Sequence, residues 1–96
     1  MKLITVIATI KCEPKNIPYF KSQLCKLIEP TLKEEGVVKY RFYESTNKPG
    51  LFHSYEKWIG EYYIRKHLQS NHIKEYFNNT KNIVTFFNID YFKDAC

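Results

Sequence analysis

Glycine is scarce in this sequence, which has three glycines among its 96 residues. No glycine-rich loop can form, and such loops cradle the phosphates in dinucleotide-binding folds. Long hydrophobic runs are also missing, because no stretch approaches the ~20 apolar residues of a membrane helix. Domains commonly span about 100–150 residues. We therefore predict one globular domain over residues 1–96, with no membrane partner and no dinucleotide cofactor.

Cysteine is equally sparse, with Cys12, Cys25 and Cys96 scattered along the chain. An odd number without regular spacing does not fit a disulfide framework, so we expect the reduced thiols that are usual in the cytoplasm. The apolar run 3–10 looks like a short signal segment, but Lys11 stands where a small residue should precede the cleavage point. The sequence thus predicts a cytoplasmic protein.

Arginine is the rare basic residue, since only Arg41 and Arg65 occur among fifteen basic residues in a chain of net charge +5. Recognition of phosphates and bases favours the planar arginine fork. The lysines alternate with glutamates instead of forming a basic block. The charge therefore indicates a solvated surface, and we expect no nucleic-acid partner.

Aromatic residues, by contrast, are abundant: the chain has eight Tyr, seven Phe and one Trp. A domain of this size buries only roughly 60–65% of the surface that its unfolded chain exposes. Some of these rings must therefore lie at the surface, line a cavity or be covered by another subunit.

Hydrophobic periodicity predicts the element order βαββαβ. Asn16 is a good helix N-cap, Pro30 should kink or restart the first helix, and Asn71 should cap a short last helix. This order is that of the ferredoxin-like α+β fold, in which a four-stranded antiparallel sheet carries helices on one face. The predicted strands are 3–11, 37–45, 51–58 and 84–92, and the predicted helices are 17–35, 60–69 and 72–77.

The predicted sheet is apolar on both faces, whereas such sheets normally alternate apolar and polar residues. The last strand shows this, with Phe87, Ile89 and Tyr91 assigned to one face and Val84, Phe86 and Phe92 to the other. Helices can cover only one face, and large exposed apolar patches are uncommon on monomers. We therefore predict a homodimer that packs sheet against sheet.

Three histidines, His53, His67 and His72, are candidates for chemistry. None has a histidine or carboxylate at i+4 to complete a helical metal site, so we predict no bound metal. No motif that would activate a thiol surrounds the cysteines. General acid–base chemistry stays open, because imidazole titrates near neutral pH. The alternative is a structural or surface role for each histidine.

Two parts of the chain carry recognisable motifs. The second half has Tyr55-Glu56-Lys57-Trp58 and His67-Leu68-Gln69-Ser70-Asn71-His72, and the first half has Leu3-Ile4-Thr5-Val6-Ile7-Ala8 and Glu29-Pro30-Thr31-Leu32-Lys33-Glu34-Glu35-Gly36. Together they resemble the antibiotic biosynthesis monooxygenase superfamily, and its small bacterial quinol monooxygenases in particular. The resemblance covers roughly residues 3–92 and implies a dimeric α+β barrel.

The resemblance also implies an activity. Members of this family oxygenate electron-rich phenols and quinols with O₂, without metal, flavin or haem. A phenolate can give one electron to O₂, so the protein need only deprotonate the substrate and hold it in a dry pocket. The resemblance therefore implies a cofactor-free monooxygenase of a small aromatic substrate, with His67, or else His72, as the base or proton relay.

The same resemblance suggests the remaining site residues. Phe20, Tyr55 and Trp58 are expected to form ring-stacking walls between helix and sheet. Glu56 is expected to orient a histidine or the substrate hydroxyl, with a salt bridge as the alternative. His53 matches no family position, and its role is unassigned.

Other functions occur on this fold, because a fold does not settle a function. An isomerase or degradation enzyme for a small signalling metabolite would use the same aromatic pocket without oxygen. A non-catalytic dimeric binding module would need its histidines only for structure. The haem-degrading branch is disfavoured, because residues 3–11 contain no Asn and the positions matching its Trp and His hold His67 and Phe77.

Overall fold

The computed structural model describes residues 2–96 and contains one sheet with helices packed on one side. A short 3-10 turn, Pro14–Asn16, precedes the first helix. The elements in chain order are β1 (Ile4–Cys12), α1 (Ile17–Cys25), α2 (Ile28–Leu32), β2 (Val37–Glu44), β3 (Leu51–Trp58), α3 (Glu61–Leu68), α4 (Asn71–Thr80) and β4 (Val84–Phe92). Within residues 2–96, no helix is long and apolar enough to cross a membrane.

The four strands form one antiparallel sheet in the order β2-β3-β1-β4. The first strand is therefore central and pairs with both β3 and the last strand. Ile10, for example, lies between Phe52 of β3 and Phe87 of β4. The prediction of a ferredoxin-like α+β fold is confirmed.

The core lies between the helices and one face of the sheet, which we call the inner face. Alternate residues of β1 point into it, and Val6, Ala8 and Ile10 are all buried. Phe20 of α1 and Trp58 of β3 are fully enclosed. Burying a large apolar side chain contributes about 1.5–3 kcal/mol, so these rings are major contributors to stability.

The restart expected at Pro30 is observed, because α1 ends at Cys25 and α2 starts at Ile28. The proline then lies in the first turn of α2, where a backbone N–H has no intrahelical partner. The helix caps differ from the expected ones. Asn16 precedes α1 but its side chain makes no capping hydrogen bond. Ser70, not Asn71, caps α4, since its Oγ accepts a hydrogen bond from the Ile73 amide. That cap also starts a longer helix than expected, which ends at Thr80.

The opposite side of the sheet, the outer face, is mixed apolar and polar. The prediction for Val84 is wrong: an irregularity in the β1–β4 register pairs it with Cys12, so it packs against the core. The strand pairing places Thr5, Ile7, Thr9, His53, Tyr55, Lys57, Phe86 and Phe92 on the outer face. In the described part of the chain, no helix is packed against these residues.

Candidate functional site

A largely apolar cavity lies between the inner face of the sheet and helices α3 and α4. Apolar residues from β1, β2, β4 and both helices line it, and β3 contributes the polar Ser54 and Glu56. Its polar lining comes from five residues, Tyr40, Ser54, Glu56, His67 and Tyr76. The centres of water molecules can occupy about 40 Å³ of the cavity. That space holds a few waters, so an aromatic ligand must displace part of the wall to enter.

Two phenylalanines stand where the cavity meets the surface. Phe77 of α4 and Phe87 of β4 are nearly half exposed, and their rings meet edge to face with centroids 6.0 Å apart. Both residues line the cavity. This exposed pair therefore forms part of the boundary between the cavity and solvent.

His67 is the buried imidazole of the cavity. It lies in the last turn of α3, one helical turn after the buried Ile64, so the sheet-facing side of that helix carries it inward. Its ring centroid is 4.9 Å from that of Trp58 and 5.2 Å from that of Tyr40. The side chain is only 3% exposed. The ring is therefore held between two aromatic residues of the sheet.

A carboxylate joins His67 to the second histidine. Glu34, in the loop between α2 and β2, has its Oε2 atom 2.7 Å from His67 Nδ1 and 2.7 Å from His72 Nε2. His72 lies in the first turn of α4, and the centroid of its imidazole ring is 5.9 Å from that of His67. The three side chains form one hydrogen-bonded cluster that runs from the cavity to the partly exposed His72.

The same three residues are of the types that bind divalent metals, with ligand atoms all within 4.8 Å of one another. Bonds of about 2.0–2.1 Å around a tetrahedral zinc would separate its ligand atoms by roughly 3.3 Å. The two 2.7 Å contacts are shorter than that and have the length of charge-assisted hydrogen bonds. The observed arrangement is therefore a hydrogen-bonded cluster.

Glu56 places a second carboxyl group at the cavity. Its Oε1 atom accepts a hydrogen bond of 2.9 Å from the Trp58 indole, two residues along the same face of β3. Burial raises the pKa of Glu56, and the Trp58 hydrogen bond opposes part of that rise. The carboxyl group is thus buried, accepts a hydrogen bond from Trp58, and loses its own proton only at a higher pH than an exposed glutamate does.

Two phenols complete the polar lining. Burial raises the pKa of Tyr40, and the nearby Glu56 charge raises it further. Burial likewise raises the pKa of Tyr76. Both hydroxyl groups therefore stay protonated at neutral pH and can donate hydrogen bonds into the cavity.

The six site residues expected from the sequence are only partly brought together. His67 and Glu56 line the cavity, and His72 reaches it through Glu34. Trp58 lies behind the lining. Its ring contacts that of His67, and its indole N–H donates a hydrogen bond to Glu56.

Phe20 and Tyr55 lie elsewhere. Phe20 is a core residue whose ring contacts Phe52 and Tyr76, with centroids 5.2 and 6.1 Å away, and it does not line the cavity. The expected position of Tyr55 between helix and sheet is wrong, because adjacent strand residues point to opposite faces and its neighbours Ser54 and Glu56 are the buried ones.

On the outer face, Tyr55 lies near two lysines. The Nζ atoms of Lys39 and Lys57 are 5.3 and 5.7 Å from the centre of its ring. His53 is on the same face, where its Nδ1 atom is 3.2 Å from the Thr9 hydroxyl oxygen. Neither residue contributes to the cavity.

Sequence reasoning missed Glu34, Tyr40 and Tyr76. A signal for Glu34 existed, because Val37 at the start of β2 pairs with Trp58 at the end of β3 in an antiparallel hairpin. The loop before β2 must therefore lie beside the helix that follows β3. The two tyrosines gave no such signal, since a buried tyrosine is more often a core residue than a site residue.

Comparison with known proteins places this site in a family. The family model described as "Antibiotic biosynthesis monooxygenase" matches residues 3–79. A Bacillus subtilis (strain 168) protein named "Putative monooxygenase YcnE" is 25% identical over 83 residues, which cover 86% of this chain and 87% of that protein.

Solved structures show the same fold. A conserved protein from Methanosarcina mazei Go1 is 29% identical with a TM-score of 0.90, over 99% of this chain and 95% of that one. A Pseudomonas aeruginosa protein superposes with a TM-score of 0.93 at 21% identity, over 100% of this chain and 97% of that one. With a family model matched over most of its length, this chain belongs to the antibiotic biosynthesis monooxygenase family.

Proposed function

We propose that the protein is a cofactor-free monooxygenase that oxidises a small, electron-rich phenol or quinol with O₂ inside the cavity. The observation that carries this proposal is a buried imidazole, His67, that lines an apolar cavity and is backed by the Glu34 carboxylate. Such a base can remove a hydroxyl proton where water is largely excluded. The monooxygenase family to which the chain belongs supports the reaction class.

The reaction balances with the substrate as the only reductant. A quinol and O₂ give a hydroxyquinone and water, so one oxygen atom enters the ring, the other leaves in water, and the quinol supplies four electrons. His67 Nε2 takes a hydroxyl proton, and the resulting phenolate gives one electron to O₂. Recombination forms a carbon–oxygen bond at the ring, and His67 returns its proton to the resulting peroxide. Loss of water then breaks the oxygen–oxygen bond. Holding both reactants together supplies much of the rate.

The remaining polar groups would orient the substrate. Glu56 is a buried acceptor suited to a second hydroxyl group, and Tyr40 and Tyr76 are donors suited to a carbonyl oxygen that forms in the product. The lining contains no Lys or Arg, so the cavity favours an uncharged ring over an anionic one. His72 acts through Glu34 and does not touch the substrate in this proposal.

Oxygen uptake tests the proposal directly. We expect chelator-treated protein to consume O₂ when a hydroquinone is added, with one ¹⁸O atom from ¹⁸O₂ in the product. His67→Ala should lower the rate by about 10²–10⁴-fold, the usual contribution of general acid–base catalysis. His53→Ala is the matched control, because that ring lies on the outer face, and it should keep the rate. The proposal is wrong if no electron-rich quinol is oxidised, or if His67→Ala retains full activity.

An oxygen-independent isomerase is the second candidate. It is favoured by the presence of two proton-carrying groups, Glu56 and His67, on the same cavity, since an isomerase must remove a proton at one atom and return it at another. A substrate absorbance change under strictly anaerobic conditions, without O₂ uptake in air, would select it. Absence of turnover in both conditions would instead favour a binding module.

We also propose that the functional unit is a homodimer joined through the outer face. That face presents Ile7, Tyr55, Phe86 and Phe92, and exposed apolar surface of this kind is typically covered by a partner. The three cysteines are free thiols, which is compatible with the cytoplasmic location that the sequence predicts.

A further inference from the structure

Glu34 contacts two histidines through a single carboxylate oxygen atom. Its Oε2 atom lies 2.7 Å from His67 Nδ1 and 2.7 Å from His72 Nε2. An ionised carboxylate has no hydrogen to donate. Each of the two ring nitrogens must therefore carry a proton and donate it to this oxygen.

The geometry points to Glu34 as a positioning residue that fixes the tautomers of both histidines and leaves His67 Nε2 unprotonated for substrate. Its catalytic consequence rests on the proposed function above. A neutral imidazole with its proton on Nδ1 has its lone pair on Nε2, the nitrogen opposite the Glu34 contact. Without an acceptor at Nδ1 the ring would be free to place its proton on Nε2, where it cannot act as a base.

The second histidine holds the carboxylate in place. A carboxylate on a loop can rotate, but Oε2 is fixed from two directions by rings that belong to α3 and to α4. The Ser70 hydroxyl bonds to the His67 carbonyl oxygen at 2.7 Å and also caps α4, which fixes the angle between the two helices. The carboxylate position therefore depends on the corner between α3 and α4.

The negative charge of Glu34 can also stabilise the positive charge that His67 gains when it takes a proton. When His67 Nε2 takes a proton, the positive ring remains in contact with the Glu34 carboxylate, as in the histidine–aspartate pair of serine proteases. The other groups that face His67 are Tyr40 on β2, Glu56 and Trp58 on β3, and His72 on α4. None of these strand residues is hydrogen-bonded to His67 Nδ1. Glu34 is therefore the group that determines whether Nδ1 carries a proton.

Tautomers are measured directly by NMR of protein labelled with ¹⁵N in its histidine rings. At a pH where His67 is neutral, we expect a proton on Nδ1 and none on Nε2, and the reverse for His72. In Glu34→Leu, which removes the acceptor, His67 should lose this preference. A proton on Nε2 of His67 in the wild-type protein, or an unchanged tautomer in Glu34→Leu, would overturn the inference.

Kinetics provides the second measurement. Glu34 does not line the cavity, so Glu34→Leu should lower kcat by about 10- to 100-fold, part of the usual acid–base contribution, while KM stays within about twofold. Glu34→Asp, which keeps an acceptor, should restore part of kcat. Glu35→Leu is the matched control, since the neighbouring Glu35 is exposed and contacts neither ring. Unchanged kcat in Glu34→Leu would overturn the positioning role.

The two proposals fail in different ways. If the wild-type protein oxidises no quinol, the proposed function fails, while the NMR result still decides whether Glu34 sets the tautomers. If Glu34→Leu is poorly folded, Glu34→Ala, which also removes the acceptor, serves in both measurements. In Glu34→Gln the amide group has the shape of the carboxylate and its oxygen can accept the same hydrogen bonds, so the tautomers should be kept. Retention of the tautomers with a lowered kcat in Glu34→Gln would support the role of the negative charge.

Discussion

Glu56 is a carboxyl group enclosed between an apolar sheet and the helices, where it accepts hydrogen bonds from Trp58 and Ser54. Burial raises its pKa, so the native state keeps this proton to a higher pH than the unfolded chain does. Unfolding then releases a proton, and the free energy of unfolding falls as pH rises above the ordinary carboxyl pKa of 4.5. The group costs stability at neutral pH, as is typical of residues kept for function.

Replacing this carboxyl group by an amide should remove that cost. We expect the free energy of unfolding of Glu56→Gln, relative to wild type, to increase as the pH rises above 4.5 and to level off once the native Glu56 has ionised, because glutamine cannot ionise. Urea unfolding at several pH values measures this difference. The other groups near Glu56, including His67 and Tyr40, are present in both proteins and cancel in the comparison.

Glu75→Gln is the control for that series, because Glu75 is an exposed residue of α4. Its difference from wild type should stay nearly constant with pH. Parallel stability curves for Glu56→Gln and wild type would show that burial does not shift the ionisation of Glu56.

At the residue scale, the sequence identified the chemical groups better than their partners. His67 and Glu56 could be chosen because a histidine and a carboxylate within a short recognisable motif suggest acid–base chemistry. Glu34 was not paired with His67, since the contact joins residues 33 positions apart and the β2–β3 hairpin indicates only that the Glu34 loop lies near α3. Tyr55 was misplaced, although the alternation of a strand puts it opposite Glu56.

At the scale of elements, the turn between β2 and β3 is held tightly against β1. Gly50 has a φ of +83°, a backbone conformation that L side chains rarely adopt, and its carbonyl oxygen accepts a hydrogen bond of 2.9 Å from the Cys12 amide. A Cβ atom there would lie 2.3 Å from the Cys12 carbonyl oxygen. Backbone atoms on both sides leave no flexible group that could move aside.

Gly50→Ala should therefore lower the free energy of unfolding by about 2 kcal/mol or more, through the strained φ and the contact with Cys12. Gly60→Ala is the matched control, because Gly60 has an extended backbone with φ of −177° and a Cβ there would meet no atom closer than 3.6 Å. That variant should stay within about 1 kcal/mol of wild type. Equal losses in chemical unfolding would contradict this account.

The strands were predictable almost to the residue, because runs of β-branched and aromatic residues bounded by turn signals define where a strand begins and ends. For example, β3 was predicted at 51–58 and is observed at Leu51–Trp58. The helix restart at Pro30 was also predictable, because proline cannot continue a helix. The choice of Ser70 over Asn71 was not, because it depends on competition between adjacent caps. The irregularity that turns Val84 inward is a register feature, which no single strand reveals.

Across the molecule, many of the aromatic rings fall into three groups. Phe20 and Trp58 belong to the core, Phe77 and Phe87 lie where the cavity meets the surface, and Phe86, Phe92 and Tyr55 lie on the outer face. Only the first group is fully hidden within one chain. Tyr19 of α1 and Tyr62 of α3 are exposed outside these groups, so only part of the aromatic surplus is divided between the cavity and the outer face.

The outer face gives a prediction about assembly. Light scattering after gel filtration should give about 23 kDa at micromolar concentration, twice the 11.6 kDa of one chain. Ile7→Lys should shift the protein to the monomer mass, because it places a charge in the middle of the outer face. Leu32→Lys, a similar change at an exposed position of α2, should leave the mass unchanged. A wild-type mass near 11.6 kDa would contradict the proposed dimer.

The strand order also has a consequence for how the chain acquires its structure. The last strand, β4, pairs only with β1, so contacts such as Ile7 with Asp90 join segments from nearly opposite ends of the chain. Pairings between distant segments form slowly, because a large loop must close before any contact compensates for its lost entropy. During synthesis, one edge of β1 therefore stays unpaired until residues 84–92 have left the ribosome, and closing that edge completes the sheet.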